Sequence, residues 1–301
     1  MATAARATAR APFWLEAFGT EIHFHDAGGV RTRCLEVGSG APLVVLHGIE
    51  ASAENHIRNL AALGAGRRVI APDLLGHGLT DKPDSGYDIA DYGAHVLALM
   101  DGLGIERADV MGQSLGGWIG CWLALNAPER VGKLVLNTMA GLPVDDEAGW
   151  ESFAGLVGRS DEAMRTLDPE GIRRRLEWIV ADPATVTDEL VQLRRSLWAQ
   201  ESWQRIAGRV IRLLTRERYE PQQIGAAELE RIESPTLLVW TTANPVHGVD
   251  AAERAVAHLP HGELVVVDDA AHWPQFEQPE RFNSFIRTFL SLDAGGAAAE
   301  A

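Results

Sequence analysis

Cysteine and long apolar runs are both scarce in this sequence. The 301 residues include two cysteines, Cys34 and Cys121, which is too few for a disulfide framework and fits a reducing cytoplasm. No window approaches the roughly 20 apolar residues of a membrane-spanning helix. The first dozen residues carry Arg6 and Arg10 and lack the unbroken apolar stretch of a secretory signal. We therefore expect a cytoplasmic protein that has no membrane partner.

Positive charge is scarce as well. Lysine and arginine together number 27 against 42 aspartate and glutamate residues, and the formal net charge is −15. This excess of negative charge is spread along the chain, and it argues against nucleic acid as a partner. No histidine or cysteine cluster has the spacing of metal ligands, so we expect neither a metal nor another cofactor. The length suffices for one large globular domain, and the composition leaves a homo-oligomer open.

Short apolar runs alternate with helical segments along most of the chain. The predicted strands cover residues 31–37, 42–46, 69–71, 108–111, 133–137, 236–240 and 263–267. Helical periodicity marks residues 91–103 and 280–290. Such alternation, with strands apolar on both faces, predicts an α/β fold in which helices cover a parallel sheet.

The alternation stops at residues 142–230, which are helical throughout and rich in arginine and tryptophan. An all-helical insertion between two strands predicts a lid over the carboxyl ends of the strands, where open α/β sheets bind ligands. We assign residues 20–141 and 231–293 to the sheet-bearing core. Residues 1–19 are expected to form a disordered N-terminal arm, and residues 294–301 a disordered tail.

Residues 112–116 read Gly-x-Ser-x-Gly between a predicted strand and a helix. A serine on such a sharp turn exposes its hydroxyl, and the flanking glycines leave room for the bend. The helix that follows directs its free N–H groups at negative charge developing beside Ser114, which is the predicted nucleophile. A serine also needs a base. His272 directly follows the last predicted strand, at the same edge of the sheet, and is the predicted base.

The serine turn, the His47-Gly48 turn, the Pro-Asp-Leu-Leu-Gly-His-Gly loop at 72–78 and the late histidine together resemble the α/β-hydrolase superfamily, over roughly residues 20–292. The resemblance implies the α/β-hydrolase fold, with a mostly parallel central sheet flanked by helices and an inserted helical lid. Superfamily branches with an aspartate nucleophile, the haloalkane dehalogenases and epoxide hydrolases, do not fit a serine at this position.

The resemblance also implies an oxyanion hole made of two backbone N–H groups. One belongs to Leu115, directly after the nucleophile, and the other to Ile49, after the His-Gly turn. The third catalytic position is unusual, because Asn244 stands where the superfamily has an aspartate. Its amide oxygen can orient the histidine but cannot stabilise an imidazolium by charge, and the matching change in a serine protease lowers turnover about 10⁴-fold. Asp250 is an alternative acid, although residues 250–253 also read as a capping box.

The run His-Trp-Pro-Gln-Phe-Glu at 272–277 resembles the carbon–carbon bond hydrolases that cleave meta-cleavage products, the ring-fission products of aromatic catabolism. In that family the tryptophan after the histidine packs at the substrate site, and it corresponds to Trp273. The alternative is an aromatic of the core. Asn55 fits the family's polar patch after the first loop.

The lid contains a second match to that family. Residues 189–194 read Glu-Leu-Val-Gln-Leu-Arg, where the family has Glu-Leu-x-Gln-x-Arg and its arginine contacts the carboxylate or dienolate oxygen of the substrate. Thr187 is positioned to cap this helix, and Arg194 falls in the middle of its apolar face. A buried arginine normally has an anionic partner, which is either a substrate or a carboxylate of the protein.

Two departures from the family concern substrate orientation. Residues 49–51 read Ile-Glu-Ala where the family has a glycine-rich loop, and Gln113 precedes the nucleophile where asparagine is usual. The sequence nonetheless predicts a serine-dependent hydrolase that cleaves a carbon–carbon bond in a small, carboxylate-bearing, aromatic-derived vinylogous diketone. The alternatives are a carboxylesterase or lactonase with the same serine and histidine, and a non-catalytic ligand-binding protein on a hydrolase scaffold.

Overall fold

One mixed sheet organises the structure, a computed structural model that describes residues 11–84 and 86–291. Within these ranges the sheet has eight strands in the order β1-β2-β4-β3-β5-β6-β7-β8. The strands are β1 (Glu21–Ala27), β2 (Val30–Val37), β3 (Ala41–Leu46), β4 (Arg67–Pro72), β5 (Ala108–Gln113), β6 (Val131–Asn137), β7 (Thr236–Thr241) and β8 (Gly262–Val267). The pairs β1/β2 and β2/β4 are antiparallel and the other pairs are parallel. This confirms the predicted fold class.

Helices cover the sheet and supply the segment inserted between β6 and β7. They are α1 (Phe13–Glu16), α2 (Ile57–Leu63), α3 (Ile89–Gly102), α4 (Leu115–Asn126), α5 (Glu147–Thr166), α6 (Pro169–Glu177), α7 (Asp188–Trp198), α8 (Glu201–Ile211), α9 (Arg216–Tyr219), α10 (Ala226–Leu229), α11 (Val249–Ala257), α12 (Pro274–Glu277) and α13 (Pro279–Ser291). None of those described has both the length and the apolar character that a membrane crossing requires.

Burial differs between the central strands and the edge strand β1. All six residues of β7 are buried, and β5 has five of its six residues buried, as expected of parallel strands covered on both faces. The edge strand β1, by contrast, has one buried residue out of seven, so it lacks the apolar pattern that would identify it and was not predicted.

The segment between β6 and β7 is helical from α5 to α10. Helix α7 begins as its sequence indicates, since the Thr187 side chain accepts a hydrogen bond of 3.2 Å from the Leu190 N–H. Apolar side chains on one face of each of these helices pack into the same hydrophobic core as the sheet. The insertion is therefore a packed layer of the molecule.

The expected disorder of residues 1–19 is wrong for the part that the structure describes. Phe13 begins the short helix α1 and packs edge-on against Phe276, with ring centroids 5.8 Å apart. Its N–H donates to Glu189 of α7 over 2.9 Å, and Glu16 pairs with Arg58 at 3.3 Å. These partners are distant in sequence, so local composition does not reveal them. Residues 1–10, 85 and 292–301, including the predicted tail, lie outside the described residues.

The turn between β5 and α4 requires its glycines. A Cβ on Gly112 would lie 2.1 Å from the Gly116 carbonyl oxygen, and a Cβ on Gly116 would lie 2.2 Å from the Leu46 carbonyl oxygen. Between them Ser114 has φ 53° and ψ −115°, a conformation that costs free energy and persists only where its surroundings impose it. The Ser114 carbonyl is held by N–H donors from Gly117, Trp118 and Ala140 at 2.9–3.1 Å.

We expect Gly116→Ala to lower the free energy of unfolding by about 2–3 kcal/mol, because the added methyl group overlaps backbone that cannot move aside. Gly158→Ala is the matched control. Gly158 lies exposed in the middle of α5 with nothing within 4 Å of a new Cβ, and alanine should stabilise that helix by about 0.5–1 kcal/mol. Urea denaturation of both variants tests the turn, and equal effects would contradict this account of it.

Candidate active site

His272 and Asn244 are joined by a hydrogen bond at the carboxyl edge of the sheet. Asn244 follows β7 and His272 follows β8, and the His272 Nδ1 to Asn244 Oδ1 distance is 2.9 Å. Because an amide oxygen can only accept, Nδ1 carries the proton and Nε2 is left unprotonated. The Val246 N–H also donates to Asn244 Oδ1, over 3.2 Å, which fixes the orientation of the amide.

The His272 imidazole is held neutral. Burial, with smaller contributions from the positive charge of Arg175 and from His247, lowers its pKa from 6.5 to about 3. An aspartate at position 244 would oppose this shift, whereas Asn244 carries no charge. Asp250, the alternative acid, is exposed and pairs with Arg254 at 2.6 Å. The capping box predicted there is also wrong, because the N-cap of α11 is Gly248, two residues before Asp250.

Ser114 and His272 line one cavity beneath the inserted helices. The cavity has a volume of about 40 Å³ and is lined by Gly48, Ile49, Glu50, Asn55, Gln113, Ser114, Ala140, Phe153, Leu156, Arg175, Leu176, Ile179, Arg194, Trp198, Leu214, Val246, His272 and Trp273. That volume holds a few water molecules. No hydrogen bond of the described residues joins Ser114 Oγ to His272; such bonds often form only with substrate bound.

The two backbone positions expected to form an oxyanion hole lie on either side of Ser114. Leu115 is the first residue of α4, where a helix leaves its N–H without an intrahelical partner. Ile49 lines the cavity after a turn packed tightly on the nucleophile. A Cβ on Gly48 would lie 3.2 Å from the Ser114 Cβ. Both positions therefore belong to segments next to Ser114, and their role as oxyanion donors stays a prediction.

Arg194 is buried on the cavity wall, with 1% of its surface exposed. Its Nη1 donates to the Glu50 carbonyl over 3.2 Å, and its Nη2 donates to Asn55 Oδ1. Among the described residues no carboxylate lies within ion-pair distance of this guanidinium, so the structure does not provide the alternative protein partner. Burial lowers its pKa to about 10, which still leaves it charged at neutral pH.

The remaining predicted site residues surround Ser114 and Arg194. Trp273 is buried, with its ring 5.7 Å from the Arg194 guanidinium carbon, and it lines the cavity. Gln113 Nε2 donates to the His272 carbonyl over 3.2 Å, and the other atom of its amide, Oε1, is buried without a partner among the described residues. Asn55 Nδ2 is likewise buried without a hydrogen-bond partner among the described residues. Two unused polar atoms therefore lie at the cavity wall.

Glu50 and Arg175 are cavity residues that the sequence analysis missed. The Arg175 Nη2 to Glu50 Oε2 distance is 3.2 Å and both side chains are buried. A signal for Arg175 was available, because it shares the buried face of α6 with Ile172 and Leu176, the same pattern that identified Arg194. Within the described ranges, no three histidine, cysteine or acidic side chains are close enough to hold a metal ion.

A model of the α/β-hydrolase fold family matches residues 41–279. The chain belongs to this family. A 2-hydroxy-6-oxononadienedioate/2-hydroxy-6-oxononatrienedioate hydrolase of Burkholderia vietnamiensis is 33% identical to this hydrolase over 285 residues, with 90% of this chain and 92% of that protein covered. A 2-hydroxymuconate semialdehyde hydrolase of Pseudomonas putida is 28% identical over 268 residues, with 88% and 92% covered.

Comparison with solved structures also finds meta-cleavage product hydrolases. A meta-cleavage product hydrolase from Pseudomonas fluorescens IP01 superimposes with a TM-score of 0.77 at 28% identity, over 89% of this chain and 97% of that one. The resemblance to the meta-cleavage product hydrolases, first indicated by short motifs, is thereby confirmed over the greater part of the chain.

The electrostatics of His272 lead to a test by NMR titration. We expect the His272 ring to remain neutral down to about pH 4.5, because burial destabilises its charged form. The contribution of the neutral His272 ring to the free energy of unfolding is therefore complete above the pKa of the unfolded state, about 6.5. This contribution is lost as the pH falls from there towards the lower pKa of the folded state. Asn244→Asp should raise the folded pKa by at least about one unit, because a carboxylate would face Nδ1.

His272→Gln assigns the His272 resonance among the ten histidines. A wild-type pKa near 6.5, or one that Asn244→Asp leaves unchanged, would contradict this account.

Proposed function

We propose that this hydrolase cleaves a carbon–carbon bond in a vinylogous 1,5-diketone, a small ring-fission product of aromatic catabolism that bears a carboxylate. Ser114 is the nucleophile and His272 the base. The observation that carries the proposal is Arg194, a buried cation on the wall of the cavity that contains the serine. Its hydrogen bonds to the described residues go to neutral oxygens. Such a charge is stabilised by an anionic ligand. A simple ester has no group to supply that interaction.

Substrate binding places the acidic end of the dienol beside Arg194. Trp273 covers this end with an aromatic face, and Asn55 orients the guanidinium through its Oδ1. His272 then assists the transfer of a proton from the enol hydroxyl to the carbon next to the distal carbonyl. The product of this step is the keto tautomer, in which that carbon has become tetrahedral and its bond to the carbonyl carbon can break.

Attack on the distal carbonyl follows. His272 Nε2, which is unprotonated while Nδ1–H donates to Asn244, accepts the Ser114 hydroxyl proton as Oγ bonds to the carbonyl carbon. The carbonyl oxygen becomes an oxyanion between the N–H groups of Ile49 and Leu115. Donors of this type, fixed before the reaction, contribute about 3–4 kcal/mol each to transition-state stabilisation.

Collapse of the oxyanion breaks the carbon–carbon bond. The departing electron pair delocalises through the conjugated chain onto the distant ketone oxygen as a dienolate, which Arg194 stabilises, and the imidazolium returns a proton to this fragment. Water, deprotonated by His272, then hydrolyses the acyl group on Ser114. The products are a carboxylic acid and a dienoate, and Ser114 regains its proton.

Asn244 limits the rate in this proposal. Each proton transfer passes through an imidazolium, and Asn244 orients that ring without an opposing charge, so we expect Asn244→Asp to raise kcat by up to about 10⁴-fold. The measurement is the decay of the yellow absorbance of a meta-cleavage product, beside Ser114→Ala as the inactive reference. A fall in kcat for Asn244→Asp, in protein of unchanged thermal stability, would contradict this role for position 244.

Arg194→Met separates this function from that of an esterase. We expect kcat/KM for a meta-cleavage product to fall on the order of 10²-fold, because the carboxylate loses a buried cationic partner. Turnover of p-nitrophenyl acetate, which has no carboxylate, should change less than about threefold and also reports that the site is folded. Arg195→Ala, at the exposed neighbouring position on α7, is the matched control. Equal losses on both substrates would contradict the proposal.

A further inference from the structure

The cavity contains a buried ion pair that the mechanism above does not use. The Arg175 guanidinium contacts the Glu50 carboxylate at 3.2 Å and the Ser160 hydroxyl at 2.7 Å. Both charged side chains are at least nine-tenths buried. Arg175 Nη1 and Glu50 Oε1 have no hydrogen-bond partner among the described residues. The pair therefore lies at the cavity wall with one donor and one acceptor unused.

Glu50 is held in place from both sides. Its backbone is in the left-handed region, with φ 61°, which is uncommon for a residue other than glycine. Its carbonyl oxygen accepts hydrogen bonds from Arg194 Nη1 at 3.2 Å and from Trp198 Nε1 at 3.1 Å. One residue thus contacts both arginines of the cavity, through its carbonyl to Arg194 and through its carboxylate to Arg175.

The charges of the cavity leave one cation without an ionic partner. Among the described lining residues, the charged side chains are Arg175, Arg194 and Glu50, and burial keeps His272 neutral. Glu54, the carboxylate with the strongest electrostatic effect on Arg194, is already paired with Arg33 at 2.6 Å. Since Glu50 neutralises Arg175, the cavity as a whole is complementary to one negative charge.

Most of the other lining side chains are apolar, and they include Phe153, Leu156, Leu176, Ile179, Leu214 and Val246. The uncharged polar ones are Asn55, Gln113, Ser114 and His272, which lie at the Ser114 and Arg194 side chains already described. A second carboxylate on the substrate would therefore face either the apolar side chains or Arg175, whose charge Glu50 already neutralises at 3.2 Å. Both positions are unfavourable for a buried anion.

We propose that this hydrolase selects ring-fission products with a single carboxylate and an uncharged group on the distal carbonyl, and that Glu50 sets this selection by neutralising Arg175. The inference rests on the proposed function, because it concerns the same cavity and the same reaction. It separates this chain from hydrolases whose substrates are dioates, even where sequence identity to them is comparatively high.

Two substrates test the selection. The first is 2-hydroxy-6-oxohepta-2,4-dienoate, which has one carboxylate and a methyl group on the distal carbonyl. The second is 2-hydroxy-6-oxonona-2,4-diene-1,9-dioate, which has a second carboxylate. We expect wild-type kcat/KM to be at least about 30-fold higher for the first. Glu50→Gln removes the negative charge and frees Arg175, so the ratio of the two values should fall at least about tenfold.

The double variant Glu50→Gln/Arg175→Gln removes both members of the pair and leaves Arg194 as the single cation, so the preference for the monocarboxylate should return. Glu253→Gln, an exposed change on α11, is the control, and thermal melting shows which variants are folded. A wild-type ratio near one, or a ratio that Glu50→Gln leaves unchanged, would overturn the inference alone. Failure of the wild type to cleave either substrate would overturn the proposed function and the inference with it.

Discussion

Arg194 donates hydrogen bonds to two neutral oxygens, on Glu50 and Asn55, and is buried at the wall of the cavity that contains Ser114. A guanidinium in that environment lacks the solvation it would have in water, and its pKa falls accordingly. Hydrogen bonds from the protein offset this loss of solvation only in part. The Glu50 carbonyl oxygen accepts a hydrogen bond from Arg194, but the Glu50 carboxylate is paired with Arg175. In our account the cavity is consequently suited to an anion, and Arg194 positions the substrate relative to Ser114.

The same burial affects His272, the proposed base. Burial and Arg175 both disfavour the charged imidazole, and Asn244 supplies geometry without charge. The Asn244 Nδ2 atom is itself buried without a partner among the described residues, so the amide is present for the hydrogen bond to His272 rather than for packing. In our account the site therefore relies on orientation, on the N–H groups beside Ser114 and on Arg194, with less help from charge at the base than an aspartate would give.

The parts of the structure that depend on local pattern could be predicted from the sequence. Gly112 and Gly116 indicated the turn, the buried strands showed as apolar runs, and the position of Arg194 on an amphipathic helix indicated its burial. The parts that depend on distant contacts could not. Strand β1 has the exposed pattern of an edge strand. Helix α1 is stabilised by residues of α2, α7 and α12, which are distant in sequence. The pairing of Glu50 with Arg175 joins residues 125 positions apart, a contact that no periodicity reveals.

The central claim is that Ser114 becomes acylated by the distal part of a carboxylate-bearing diketone. Rapid-quench intact-mass spectrometry, with substrate in excess over enzyme, measures this directly. The account predicts an adduct with the mass of the acyl fragment, located by peptide mapping on Ser114 and absent from Ser114→Ala. Loss of the yellow absorbance with no adduct at any time, and at the same rate in Ser114→Ala, would contradict it.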